Sequence, residues 1–84
     1  MIEDELRAIV AEVAEIDPDS VGESGTLADA GVDSLMAIEI AVDIERRYGV
    51  SFTIEELKQI RTFGSLVALT RARLAEQEAP SSGR

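Results

Sequence analysis

The chain has 84 residues, 17 acidic and 8 basic, for a formal net charge of −9, and it contains neither cysteine nor histidine. That composition excludes disulfide staples, zinc fingers, a cysteine nucleophile and every histidine-based acid–base pair, so a Ser–His–Asp hydrolase cannot be built from this chain alone. One small domain is expected, with about 60–65% of its unfolded surface buried; the acid excess and the 4% aromatic content oppose nucleic-acid binding.

Met1 is followed by Ile2-Glu3-Asp4-Glu5 instead of a basic region and an apolar run, so no secretory signal is read there. No run of 18 apolar residues marks a membrane span. The expectation is a soluble cytoplasmic domain, monomeric because nothing in the pattern points to a symmetric interface. Charge is uneven along the chain: residues 1–33 hold ten acids and one base, Arg7, whereas residues 34–84 hold seven of each. The acidic part is either a solvated face that aids solubility or a surface that steers towards basic partner proteins.

The periodicity is helical. Ile2, Leu6, Ile9, Val10, Val13 and Ile16 recur at spacings of three and four and predict an amphipathic helix over roughly 3–16. Glu3, Asp4 and Glu5 suit the positive end of its dipole, and Asp17-Pro18 is expected to stop it. Residues 17–33 form a long connection with Val21, Leu27 and Val32 as apolar pegs and room for a helical turn from Thr26 to Ala30. A second helix is predicted from about Ser34 to Tyr48, ended by Gly49. Its core face is Ala37, Ile40, Ala41, Ile44 and Tyr48. A second stripe, Leu35, Ile38 and Val42, is either buried too or turned to a partner or ligand.

Thr53 begins a short third helix that ends near Ile60, with a Thr53–Glu56 capping box and a Phe52–Leu57 hydrophobic staple. A fourth helix starts close to Thr62, with Phe63, Leu66, Val67, Thr70 and Leu74 on one face. From Ala79 the tail is expected to be disordered, leaving residues 1–78 as the domain. The fold class is therefore all-α: a four-helix bundle with three long helices, one short third helix and a long first loop.

Several motifs fail. Asp17-Pro-Asp19-Ser-Val21-Gly22 opens like a calcium loop, but Val21 and Ala28 stand where the fifth and twelfth ligands belong. Gly22-Glu23-Ser24-Gly25 lacks the spacing of a nucleophile elbow, and no phosphate-cradling glycine loop is present. What remains is Gly31-Val32-Asp33-Ser34-Leu35-Met36, at the junction of the long loop and the second helix. Asp33 or Ser34 can cap that helix. A serine hydroxyl there also lies beside unpaired backbone N–H groups that favour an anion, so Ser34 is a candidate site for a covalent phosphodiester. With no base in the chain it cannot activate itself, and another enzyme must install the group.

Asp33-Ser34-Leu35 in this register resembles the acyl carrier protein family. The length, the acidity, the helix order, the long first loop and Glu-Arg-Arg-Tyr-Gly-Val ending the second helix all agree, over about residues 3–76. The resemblance implies that Ser34 receives 4′-phosphopantetheine from coenzyme A through a phosphopantetheinyl transferase that brings the magnesium. It implies that Asp33 and Leu35 are read by that transferase, and that Leu35, Met36, Ile38, Glu39 and Val42 lie on the surface contacted by partners such as an acyl-loading enzyme or a ketosynthase. An acyl group would be held as a thioester on the arm's thiol. The second and third helices would part to admit an acyl chain, changing the surroundings of Ile38, Val42, Ile54 and Ile60. No catalytic residue and no metal site are implied in the chain itself.

Arg46 and Arg47 interrupt the acidity usual at that point in carriers of fatty acid synthesis, and the string resembles carriers of polyketide and related specialised pathways. Val32 stands where peptidyl carriers more often have a second glycine. A stand-alone polyketide-type carrier is therefore expected. The alternatives are a fatty acid synthesis carrier, an aminoacyl or peptidyl carrier, and a non-covalent acidic helical module in which Ser34 is only a cap.

Overall fold

Acids in the first turn and apolar residues on one stripe produce the opening element. In the computed structural model, which describes residues 2–22 and 25–78, it is helix α1 (Ile2–Ala14), with Leu6, Ile9 and Val10 fully inside the core. The helix ends two residues before the predicted position, and Asp17-Pro18 does not stop it. Glu15 adopts a left-handed conformation, φ 60°, and the Ile16 N–H donates to Ala11 O at 2.9 Å. This is the bonding of a Schellman turn, and it folds Ile16 back against the core. A left-handed non-glycine residue costs roughly 1–2 kcal/mol, part of which glycine's extra unfolded-state freedom cancels. Glu15→Gly is therefore expected to raise stability by about 0.5–1 kcal/mol, measured as a higher urea midpoint.

Asp17 opens a 3₁₀ turn (Pro18–Ser20), its carboxylate accepting from the Asp19 N–H at 2.9 Å. Its own backbone is extended, as the residue before a proline prefers. Val21 and Leu27 are buried and Val32 half-buried, as pegs under the connection. The turn expected from Thr26 to Ala30 is present: Thr26 Oγ1 accepts from the Asp29 N–H at 3.0 Å, and Ala30 N–H donates to Leu27 O. Gly31, at φ 93°, redirects the chain into the next helix.

Helix α2 (Ser34–Tyr48) has the predicted bounds, closed by left-handed Gly49, whose N–H donates to Glu45 O. Ile40 and Ile44 are buried, with Ala37, Ala41 and Tyr48 half-buried around them. Helix α3 (Ile54–Gln59) follows the capping box as expected: Glu56 N–H donates to Thr53 Oγ1 at 3.1 Å and Thr53 N–H to Glu56 Oε1 at 2.9 Å. Phe52 and Leu57 are half-buried beside it. Helix α4 (Phe63–Glu78) turns Phe63, Leu66, Val67 and Thr70 inward, and the buried Thr70 hydroxyl is satisfied by Leu66 O at 2.8 Å. The tail predicted to be disordered, residues 79–84, lies outside the described residues. The all-α reading holds: among the described residues, β-type pairing is confined to one bridge, Thr26 to Thr62.

Long-range polar contacts finish the assembly. Arg7 donates from Nε to Val21 O at 3.1 Å and lies 4.8 Å from the centre of the Phe63 ring, tying the long connection to α1 and α4. Arg73 pairs with Glu56 and donates to Ser51 O at 2.7 Å, while Gln77 Nε2 donates to Gly49 O at 2.6 Å. Tyr48 donates to the Glu5 carboxylate, joining the end of α2 to the start of α1. Burial, and then that bond, push the Tyr48 phenol from 10.0 up to about 12. The stability this contributes is present below pH 10 and lost as the pH rises towards 12. Tyr48 is the single tyrosine and there is no tryptophan, so tyrosinate absorbance reports it alone. Its midpoint is expected near 12 when folded and near 10 in urea. Glu5→Gln should lower the folded value only part-way, because burial remains.

Candidate functional site

The junction of the long connection and α2 settles which residue caps the helix. Asp33 has an extended backbone, and its Oδ1 accepts from the Met36 N–H at 2.9 Å. Asp33 is the cap, so the Ser34 hydroxyl is not required for that bond. Ser34 is the first residue of α2 and is exposed. It sits where the first-turn N–H groups and the positive end of the helix dipole meet solvent.

Beside it lies an open groove of about 600 Å³ between the first half of α2 and α3. Ser34, Ala37 and Ile38 form one wall; Ile54, Leu57 and Ile60 form the other. Leu27 and Val32 from the long connection also line it, as do the charged residues Asp33, Lys58 and Arg61. A second, shallower depression of about 410 Å³ lies between α1 and α2, where Glu12, Glu39, Asp43 and Arg46 surround Val13, Ile38 and Val42.

The second stripe of α2 faces outward: Leu35 is 65% exposed, Ile38 47% and Val42 38%, with Ile54 of α3 at 63% nearby. The burial alternative for that stripe is thereby removed. Glu39 is exposed among these residues, while Met36 is half-buried and meets the cap through its N–H. Of the residues expected around an acyl chain, Ile38, Ile54 and Ile60 share the main groove, whereas Val42 lies in the second depression. Sequence reasoning did not single out Lys58 and Arg61. A signal existed for Lys58 alone, since Ile54, Leu57 and Lys58 share helical spacing from the capped start of α3. Arg61 lies beyond the end of that helix, after the extended Ile60, and reaches the groove only through the fold.

A serine hydroxyl spared from capping, at a helix N-terminus and beside an open apolar groove, fits a covalently attached phosphate ester with a long flexible substituent. Comparison with known proteins agrees. The model of the phosphopantetheine attachment site family matches residues 4–70. Over 73 residues the chain is 41% identical to an acyl carrier protein of Rhodococcus erythropolis, covering 86% of this chain and 80% of that protein. It is 38% identical over 77 residues to the non-reducing polyketide synthase pkiA of Emericella nidulans, and spans 3% of that protein's length. The solution structure of the acetyl actinorhodin acyl carrier protein from Streptomyces coelicolor superposes with a TM-score of 0.80 at 31% identity, covering 92% of this chain and 94% of that one.

Fold and site together define a protein that carries phosphopantetheine covalently. The chain belongs to the acyl carrier protein family. Members of this family are generally carriers and not catalysts, and acyl-processing enzymes act on them. Among the described residues, no helix is long and apolar enough to cross a membrane.

Proposed function

We propose that Ser34 takes the 4′-phosphopantetheine and that this chain presents acyl groups to enzymes of a polyketide-type or related specialised pathway. The observation that carries the reading is the exposed Ser34 hydroxyl, left available by the Asp33 cap and opening onto the groove between α2 and α3. The group supplies a terminal thiol on which an acyl group is held as a thioester, which suits a chain without cysteine. Asp33 fixes the start of α2, so that its unpaired N–H groups favour a phosphate ester on Ser34 by roughly 0.3–1 kcal/mol. Among the described residues the Ser34 hydroxyl is hydrogen-bonded to no basic group, and the adjacent Asp33 carboxylate is engaged as the helix cap. A phosphopantetheinyl transferase therefore supplies base and magnesium. Ser34 Oγ then forms the new ester bond as the nucleotide half of coenzyme A leaves.

Leu35, Ile38 and Val42, with Glu39 among them, form the surface offered to that transferase, to an acyl-loading enzyme and to a ketosynthase. Charge attraction with a few apolar contacts gives fast, short-lived encounters there. The walls of the groove give an acyl chain apolar shelter. The likeness to pkiA and to the actinorhodin carrier supports the polyketide-type assignment, as do Arg46 and Arg47 in the last turn of α2. In this reading the protein works as a cytoplasmic monomer. Incubation with coenzyme A and a broad-specificity transferase is expected to add one phosphopantetheine to the intact mass; an unchanged mass with a demonstrably active transferase overturns the assignment.

A further inference from the structure

The groove beside Ser34 has apolar walls and two cations on its α3 side. Lys58 and Arg61 both line it, in a chain with 17 acids and 8 bases, and both are exposed. Among the described residues neither forms an ion pair, whereas Arg7 and Arg73 are each tied to carboxylates of the fold. Asp33 is the sole acid lining the groove, and its Oδ1 already accepts from the Met36 N–H. Among the described residues no carboxylate pairs with these cations. A plain alkyl chain gains nothing from their charged heads.

We infer that Lys58 and Arg61 make this groove selective for acyl groups bearing a carboxylate or ketone oxygen over alkyl groups of the same shape. The inference rests on the carrier reading of Ser34. The aliphatic stems of both side chains extend the apolar walls while their heads meet oxygen atoms. Charge-assisted hydrogen bonds form to a carboxylate, and weaker ones to a ketone. Covalent attachment makes the contact intramolecular, at an effective concentration in the millimolar range, so a weak interaction shifts the population. Solvent exposure holds the gain to that of a surface ion pair, a preference on the order of two- to five-fold. A phosphodiester on Ser34 is the other possible anion, but it has the first-turn N–H groups of α2 at hand, while Lys58 and Arg61 belong to the α3 side.

The test uses three coenzyme A thioesters of nearly matched shape: malonyl, acetoacetyl and isovaleryl. Each is loaded by the transferase, confirmed by intact mass, and compared with the phosphopantetheine-only form through the amide and side-chain NMR shifts of Lys58 and Arg61. Malonyl is expected to move both residues most, acetoacetyl less and isovaleryl least, with isovaleryl felt instead at Ile54 and Leu57. The malonyl shifts should shrink in high salt. They should also disappear at the remaining groove residues in the double variant Lys58→Met, Arg61→Met, whose two positions are exposed and leave the core intact. Equal shifts from malonyl and isovaleryl after complete loading overturn this inference alone. So does a full displacement in the phosphopantetheine-only form to which malonyl adds nothing, since the anion is then the phosphodiester. A missing mass gain overturns the carrier reading first, and this inference with it.

Discussion

Ser34→Ala protein keeps its unmodified mass after incubation with coenzyme A and transferase, and it melts within about 0.5 kcal/mol of wild type. The mass follows from losing the one oxygen proposed to form the ester. The stability follows from the division of labour at the start of α2. Asp33 accepts the Met36 N–H, so removing the neighbouring hydroxyl costs no cap, and alanine is itself the best helix former. If the protein were only a non-covalent module with Ser34 as cap, the same substitution would cost about 0.5–2 kcal/mol. That cost is expected at Asp33→Ala instead. Intact-mass measurement and urea melts of the two variants, side by side, separate the cases. A modified Ser34→Ala protein would move the attachment site elsewhere.

Phe63→Ala is expected to cost about 3–5 kcal/mol, the largest effect of any single core substitution here. Phe63 is fully buried at the first turn of α4, and the Arg7 guanidinium lies over its ring. A domain of this size has a stability of only about 4–13 kcal/mol, so the variant should lose a large fraction of it and show a markedly lower urea midpoint. The loss also reaches the long connection, because Arg7 holds Val21 O with the side chain that stacks on Phe63. Phe63→Leu, which keeps most of the volume, should lose clearly less. Urea denaturation followed by circular dichroism measures both. A loss below about 1 kcal/mol for Phe63→Ala would contradict this packing.

Legibility in the sequence followed the range of the interactions involved. Helix α2 was readable at both ends because Asp33 and Gly49 act on their own neighbours. The capping box of α3 was readable for the same reason. The end of α1 was misplaced because Glu15 takes a left-handed conformation that glycine or asparagine would have announced. Arg7 was visible as the lone base among ten acids, yet its bond to Val21 O and its place over Phe63 depend on elements that meet only in the folded chain. The site divides similarly. Ser34 and the outward stripe were legible from register, while Lys58 and Arg61 became groove residues through the packing of α3 against α2. Val42, on the outward stripe and expected to sense an acyl chain, lies in the depression between α1 and α2, with Ile38 lining both hollows.

Helix α3 has six residues, none of them fully buried, which is too short to persist by its own hydrogen bonding. Its leading edge is fastened by Arg73, reaching from α4 to Glu56 and Ser51 O, and its trailing edge by the Leu27 N–H bond to Arg61 O and the Thr26–Thr62 bridge. A panel pinned along two opposite sides can bow in the middle but cannot swing open like a door. If the proposed acyl chain enters this groove, room for a longer one is expected from outward bulging around Leu57, between the two fastened sides.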